Sequence, residues 1–112
     1  MSSIRQEKVA KLVKQELSII FQKYANDWFG GKFITVTTLR VSPDLSVAKA
    51  YLSLFMSKDK EAALAEIKRL TPQIRKELGL KVGKQLRIVP ELIFYIDDSL
   101  DYAQQIDDLL KK

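Results

Sequence analysis

The amino-acid sequence predicts a two-layer α+β domain, with helices packed on one face of a small sheet. Three observations predict it. Apolar residues recur at helical spacing near the start of the chain and again between Ala63 and Leu78. Segments 32–55 and 86–96 instead alternate with the two-residue period of strands. Gly30-Gly31 and Gly79 to Gly83 fall between these segments, while Ser42-Pro43-Asp44-Leu45 and Pro72 each divide one of them in two, so the order reads α-β-β-α-α-β, followed by one more helix.

Ser3 to Ala25 reads as the first helix. Val9, Val13, Leu17, Ile20 and Tyr24 form its apolar stripe, widened by Leu12 and Phe21. Arg5, Lys8, Lys11 and Lys14 line much of its other side. Asn26-Asp27-Trp28-Phe29-Gly30-Gly31 is expected to break it.

Lys32 to Val41 is rich in Thr, Val and Ile and reads as a strand. Its alternation slips, because Ile34 and Val36 share one parity and Leu39 and Val41 the other. One extra residue near Thr37-Thr38 reconciles them, so a β-bulge is expected there. Ser42-Pro43-Asp44-Leu45 suits a tight turn, with proline preset at the second position. Ser46 to Phe55 alternates again, with Ala48, Ala50, Leu52 and Leu54 on one face and Val47, Lys49, Tyr51 and Ser53 on the other. The two strands are expected to pair as an antiparallel hairpin.

Ser57 is a candidate cap for a helix running to about Leu70. Ala63, Ile67, Leu70, Ile74 and Leu78 form one continuous stripe, yet Pro72 sits in its middle. Proline cannot donate the backbone bond a helix interior needs, but it suits the first turn of a new helix. Two helices with a tight joint at Leu70-Thr71-Pro72 are therefore expected, Thr71 capping the second. Gly79 and Gly83 weaken that helix toward its end. Leu86 to Ile96 reads as the third strand, and Asp97-Asp98-Ser99 as the cap of a last helix with Ala103, Ile106 and Leu110 as its stripe. Residues 1–98 then form the domain and 99–112 a helical extension packed on it or trailing it.

With 112 residues, the chain has the length of one domain. It contains no cysteine and no histidine, which excludes disulfides, thiolate metal sites and the commonest general base. Met1-Ser2-Ser3-Ile4-Arg5 lacks the apolar run of a signal peptide, and no stretch approaches the about 20 apolar residues of a membrane span. A cytoplasmic protein without a membrane or a cofactor is expected.

The formal net charge of +5 is unevenly spread. Lys68, Arg69, Arg75, Lys76, Lys81, Lys84 and Arg87 lie between Lys68 and Val89 against the single acid Glu77. From Pro90 onward six acids face two lysines. Such asymmetry points to a polyanion-facing segment and an acidic end.

Two runs resemble the ribosome-binding factor A family: VTTLRVSPDLSVAKAYLS, Val36 to Ser53, and LRIVPELIFYIDDSL, Leu86 to Leu100. RQEKVAKLVKQEL near the start and IRKEL, Ile74 to Leu78, fit the same family, so the resemblance covers nearly the whole chain in order. It implies a type II KH-like fold with a three-stranded mixed sheet. It also implies a non-catalytic, monomeric assembly factor. Its partner would be the small ribosomal subunit and its rRNA, during late, 5′-end maturation and in cold adaptation. KH domains carry Gly-x-x-Gly between their two adjacent helices, and the family typically has an Ala-x-Gly kink there. Here the joint is Leu70-Thr71-Pro72, with neither pattern, and Gly79 to Gly83 has the wrong spacing and place.

RNA binding needs cations along a phosphate track. The candidates are Arg5, Lys8 and Lys11 on the first helix, Lys68, Arg69, Arg75 and Lys76 around the joint, and Lys81, Lys84 and Arg87 beyond it. Arg75 and Arg87 lead, because a guanidinium can fork onto phosphate or stack on a base. The competing reading of each is a solvated charged face. If four to six of them meet phosphates, log K falls with log salt at a slope of roughly −3 to −5. Trp28 and Phe29 could stack on an unpaired base, although burial against the helix end is the commoner fate of large aromatics. Asp97-Asp98-x-x-Asp101 superficially resembles a magnesium motif, but helix capping explains it better. Neither a phosphate loop nor a nucleophile–base pair is present, which argues against an enzyme. The alternative to an RNA binder is a protein-interaction module with an incidental basic face.

Overall fold

Helix α1, Ile4–Lys23, begins at a capping box. The Ser3 hydroxyl accepts from the Gln6 amide at 3.1 Å, and the Gln6 side-chain oxygen accepts from the Ser3 amide at 2.9 Å. Gln6 Nε2 also donates to the Val41 carbonyl at 2.9 Å, tying the start of the helix to the hairpin. The structure, a computed structural model, describes residues 3–31, 33–54 and 59–97. The last helix expected beyond Asp97, with the cap residues Asp98 and Ser99, lies outside the described residues, as does Ser57.

The apolar stripe of α1 is buried as Val9, Val13, Leu17, Ile20 and Phe21. The first helix ends at Lys23, two residues before the expected Ala25, and the segment expected to break it is itself partly helical. A short helix α2, Ala25–Phe29, follows Tyr24 and ends at Gly30 and Gly31, both with positive φ. Tertiary packing accounts for the extra turn: Phe29 is buried, with its ring centroid 5.5 Å from that of Phe21.

Strands β1, Thr35–Val41, and β2, Val47–Ser53, pair antiparallel with Leu39 opposite Ala50 and Val41 opposite Ala48. Both are shorter than their sequence bounds. The register shifts between Val36 and Thr38, which places the expected bulge at Thr37. The bulge keeps Val36, Leu39 and Val41 buried on one face despite their mixed parity. It also brings the Thr37 hydroxyl to the Tyr51 carbonyl and the Asp97 carboxylate.

Helix α3, Lys60–Arg69, is capped by Asp59, whose carboxylate accepts from the Ala62 amide at 3.0 Å. Helix α4, Thr71–Val82, starts at the proline joint as expected. Its cap position is Leu70 rather than Thr71. The joint is too tight for a flanking residue, so the Thr71 hydroxyl turns back to the Ile67 carbonyl at 3.2 Å.

Strand β3 spans Glu91–Ile96, not Leu86 to Ile96. Gln85 and Leu86 donate back to the Val82 carbonyl, so this backbone continues the end of α4 instead of entering the sheet. β3 pairs parallel with β2, Ala48 opposite Leu92 and Ala50 opposite Phe94, completing a mixed sheet of order β1-β2-β3. Pro90 precedes an edge strand, where its missing donor costs no ladder bond.

The helices cover one face of the sheet. Central Ala48, Ala50 and Leu52 are fully buried there, and the two alanines let the helix layer approach closely. The other face, with Thr38, Arg40, Lys49, Tyr51 and Tyr95, carries no helix among the described residues.

Candidate nucleic-acid interface

All ten cations expected to meet RNA are exposed. They fall into groups set by segment 85–90, which leaves α4 and shares one groove with α1 and the hairpin turn. On one side lies a groove lined by Arg5, Lys8 and Leu12 of α1, by Asp44 and Leu45 of the turn, and by Leu86, Arg87 and Ile88. Thus three predicted cations from two distant parts of the sequence share one groove. Its apolar floor is unusually open, since Ile88 is 70% exposed. Lys81 and Lys84 stand on the last turn of α4 and the bend that feeds this segment.

On the other side Arg75 and Lys76 flank a shallow depression with Pro72 and Val89. Arg75 has a structural task. Its Nε donates to the Pro90 carbonyl at 3.3 Å and its Nη2 to the Val89 carbonyl at 2.7 Å. The guanidinium therefore shapes segment 85–90 and has fewer donors left for a phosphate. Arg69 pairs with Glu66 at 3.6 Å, an exposed contact on one helix. Lys11, Lys68 and Arg69 line neither depression.

The hairpin turn forms the wall of the groove. Asp44 Oδ1 accepts from the Ser42 hydroxyl at 2.7 Å, the Ser46 hydroxyl at 2.7 Å and the Ser46 amide at 3.1 Å. The Ser42 hydroxyl bond, followed by those from Ser46, lowers the carboxyl from its usual 3.8 to about 2. Ser42 Oγ in turn accepts from the Val47 amide at 3.0 Å. The Leu45 amide donates to the Ser42 carbonyl at 2.9 Å, closing the expected turn. Leu45 itself sits at φ 64°, in the left-handed region. A leucine there costs about 1–2 kcal/mol, and it is kept where it both packs on the core and lines the groove.

The aromatic pair divides. Phe29 belongs to the core. Trp28 stacks on Tyr24 at 3.9 Å and 7°, so one indole face is already occupied by its own chain. Missed by the sequence reading is the grouping of Arg40, Lys49, Tyr51 and Tyr95 on the open sheet face. The alternation of the second strand marked Lys49 and Tyr51 as one side, but their neighbours depend on cross-strand register. Among the described residues no group of three His, Cys, Asp or Glu could hold a metal ion, and no helix is long and apolar enough to cross a membrane.

Comparison with known proteins bears on these surfaces. The model of the family described as Ribosome-binding factor A matches residues 5–110. The chain is 53% identical over 112 residues to ribosome-binding factor A of Cytophaga hutchinsonii, covering 100% of this chain and 84% of that protein. The crystal structure of ribosome-binding factor A from Thermus thermophilus is similar at a TM-score of 0.68 and 24% identity, over 81% of this chain and 94% of that one. A homology model of the Thermus thermophilus factor, fitted into a cryo-electron microscopy map of its complex with the 30S subunit, is similar at a TM-score of 0.66 and 25% identity. That match covers 81% of this chain and 93% of the other.

Proposed function

The chain belongs to the ribosome-binding factor A family, and from that premise we propose that it binds the small ribosomal subunit and its rRNA as an assembly factor during late maturation. The observation that carries the site is the convergence of Arg5, Lys8 and Arg87 on one groove beside segment 85–90. Phosphates are held there by exposed cations, with counterion release supplying most of the affinity. Ile88 and Leu86 offer an apolar surface on which a sugar or base can rest. Lys81, Lys84 and Lys76 extend the track on both sides of the segment, while Lys11, Lys68 and Arg69 add long-range attraction.

Binding, not catalysis, is the proposed role, acting in the cytoplasm where subunits mature. The hydroxyl–carboxylate pair that lines the groove, Ser46 on Asp44, serves the turn: Asp44 accepts from Ser42 and Ser46 together, which leaves it a weak base. Residues 1–98 are the RNA-binding unit in this reading, and 99–112 an appendage. Sedimentation of the tagged full chain with free small subunits and with complete ribosomes, over a series of salt concentrations, tests it. Expected is co-sedimentation with free small subunits that weakens steeply with salt. Salt-independent co-sedimentation would favour a protein contact through exposed Ile88 instead, and none at low salt would refute the proposal.

A further inference from the structure

We propose that the face of the sheet that carries no helix among the described residues is a second RNA contact, a platform for unpaired nucleotides. It rests on the RNA-binding reading above but uses different residues on the opposite side of the sheet from the helices. Tyr51 of β2 and Tyr95 of β3 are register partners, and their rings stack with centroids 5.2 Å apart at 22°. A stacked pair leaves its two outer faces for further planar groups. On one side the neighbour of Tyr51 is Thr38, a short side chain that leaves room above it. On the other side Tyr95 stands on the edge strand, 39% exposed.

One step along the strands, roughly 7 Å away, lies a row of opposite character. Arg40 is paired in register with Lys49, and Lys49 with Ile93. Both cations are exposed, and neither makes an ion pair with a carboxylate of the described residues. Like charges directly opposite each other on a sheet destabilise it. A local choice that works against the fold marks a surface serving something else. Two carboxylates share this face: Glu91 sits in the Val47 row, and Asp97 is engaged by the Thr37 hydroxyl at the far end. The Arg40–Lys49 row therefore flanks the stacked rings on one side, and the Thr37-bound Asp97 flanks them on the other.

Rings for bases beside cations for phosphates is the arrangement that binds single strands without sequence readout. A duplex would bury its bases and could not use the rings, so the ligand is unpaired RNA. The groove on the helix side then holds structured rRNA while the sheet holds a loose strand of the same particle.

The test uses the full chain and a short, fluorescein-labelled oligouridylate, followed by anisotropy at low salt. Wild-type protein binds it, and the Tyr51 and Tyr95 ring protons shift upfield in NMR spectra as bases stack. Tyr51→Leu with Tyr95→Leu keeps apolar bulk and weakens binding at least about fivefold per ring. Should that variant melt early, Arg40→Gln with Lys49→Gln changes only exposed side chains and is expected to lower both the affinity and its salt slope. Lys8→Gln with Arg87→Gln lowers co-sedimentation with small subunits, while oligouridylate still shifts the Tyr51 and Tyr95 ring protons upfield. Wild-type protein that co-sediments with subunits but ignores oligouridylate, or folded sheet variants that bind it normally, would overturn the platform and leave the helix-side groove standing. Loss of subunit co-sedimentation by the wild type would instead remove the reading on which both depend.

Discussion

Arg75 holds Val89 by its backbone: Nη2 donates to the carbonyl at 2.7 Å while Nε reaches the next carbonyl, that of Pro90, at 3.3 Å. One side chain of α4 thereby sets where the last strand begins and how segment 85–90 presents Arg87 and Ile88. Arg75→Ala is expected to destabilise the protein by about 1.5–3 kcal/mol in denaturant titrations, the range for hydrogen bonds from a charged group. Arg75→Lys should recover only part of this, since an ammonium cannot span both carbonyls with a planar fork.

Arg87 and Lys8 carry no such task in the hydrogen bonds of the described residues, which makes them the cleaner probe of RNA binding. Lys8→Glu combined with Arg87→Glu should leave the melting temperature within a few degrees and abolish co-sedimentation with small subunits. Milder neutral changes should lower the slope of log K against log salt by about one for each phosphate no longer neutralised.

Acid should loosen the hairpin turn. The Asp44 carboxyl titrates at about 2 in the fold against 3.8 ordinarily. A depressed carboxyl stabilises the fold wherever the unfolded chain would also be ionised. The contribution is therefore complete above about pH 4 and lost as pH falls toward 2. Asp44→Asn should melt below the parent at neutral pH and converge with it across that window, as followed by thermal melts at stepped pH.

Phe94 is 2% exposed and meets Phe21 edge-on at 6.0 Å. Phe94→Ala opens a cavity between sheet and helix and should cost about 3–5 kcal/mol by urea unfolding.

Gly30 separates space from conformation. A Cβ there would meet nothing within 4 Å, yet φ is +61°. Gly30→Ala should cost about 1–2 kcal/mol from backbone conformation alone, and Gly30→Asn less, measured the same way.

Periodicity made most of the scaffold legible. The α1 stripe, the parity slip at Thr37, the turn at Ser42 and the proline joint all follow from rules acting within a few residues. What escaped is what distant residues decide. Asn26 to Phe29 stays helical because Phe29 finds Phe21. Leu86 to Pro90 looks like strand, but a guanidinium from α4 takes two of its carbonyls. The cation cluster was visible as composition, yet the meeting of Arg5 and Lys8 with Arg87, and of Arg40 with Lys49, needed three-dimensional pairing. Arg75 and Arg87 look alike in a charge count and differ only in what their guanidinium groups touch.

The parallel pairing of β3 with the central strand has a kinetic meaning. The hairpin can close locally as soon as the chain reaches Ser53, with α1 ready to cover it. The ladder between Ala48 and Leu92 must wait until α3 and α4 have been laid down, because a parallel neighbour can be reached only by crossing over. Closure of that long loop is expected to be slower than closure of the hairpin, and until it happens one side of β2 offers unpaired amides and carbonyls to any other strand. A chain caught with the hairpin closed and β3 undocked would be exposed to association edge to edge.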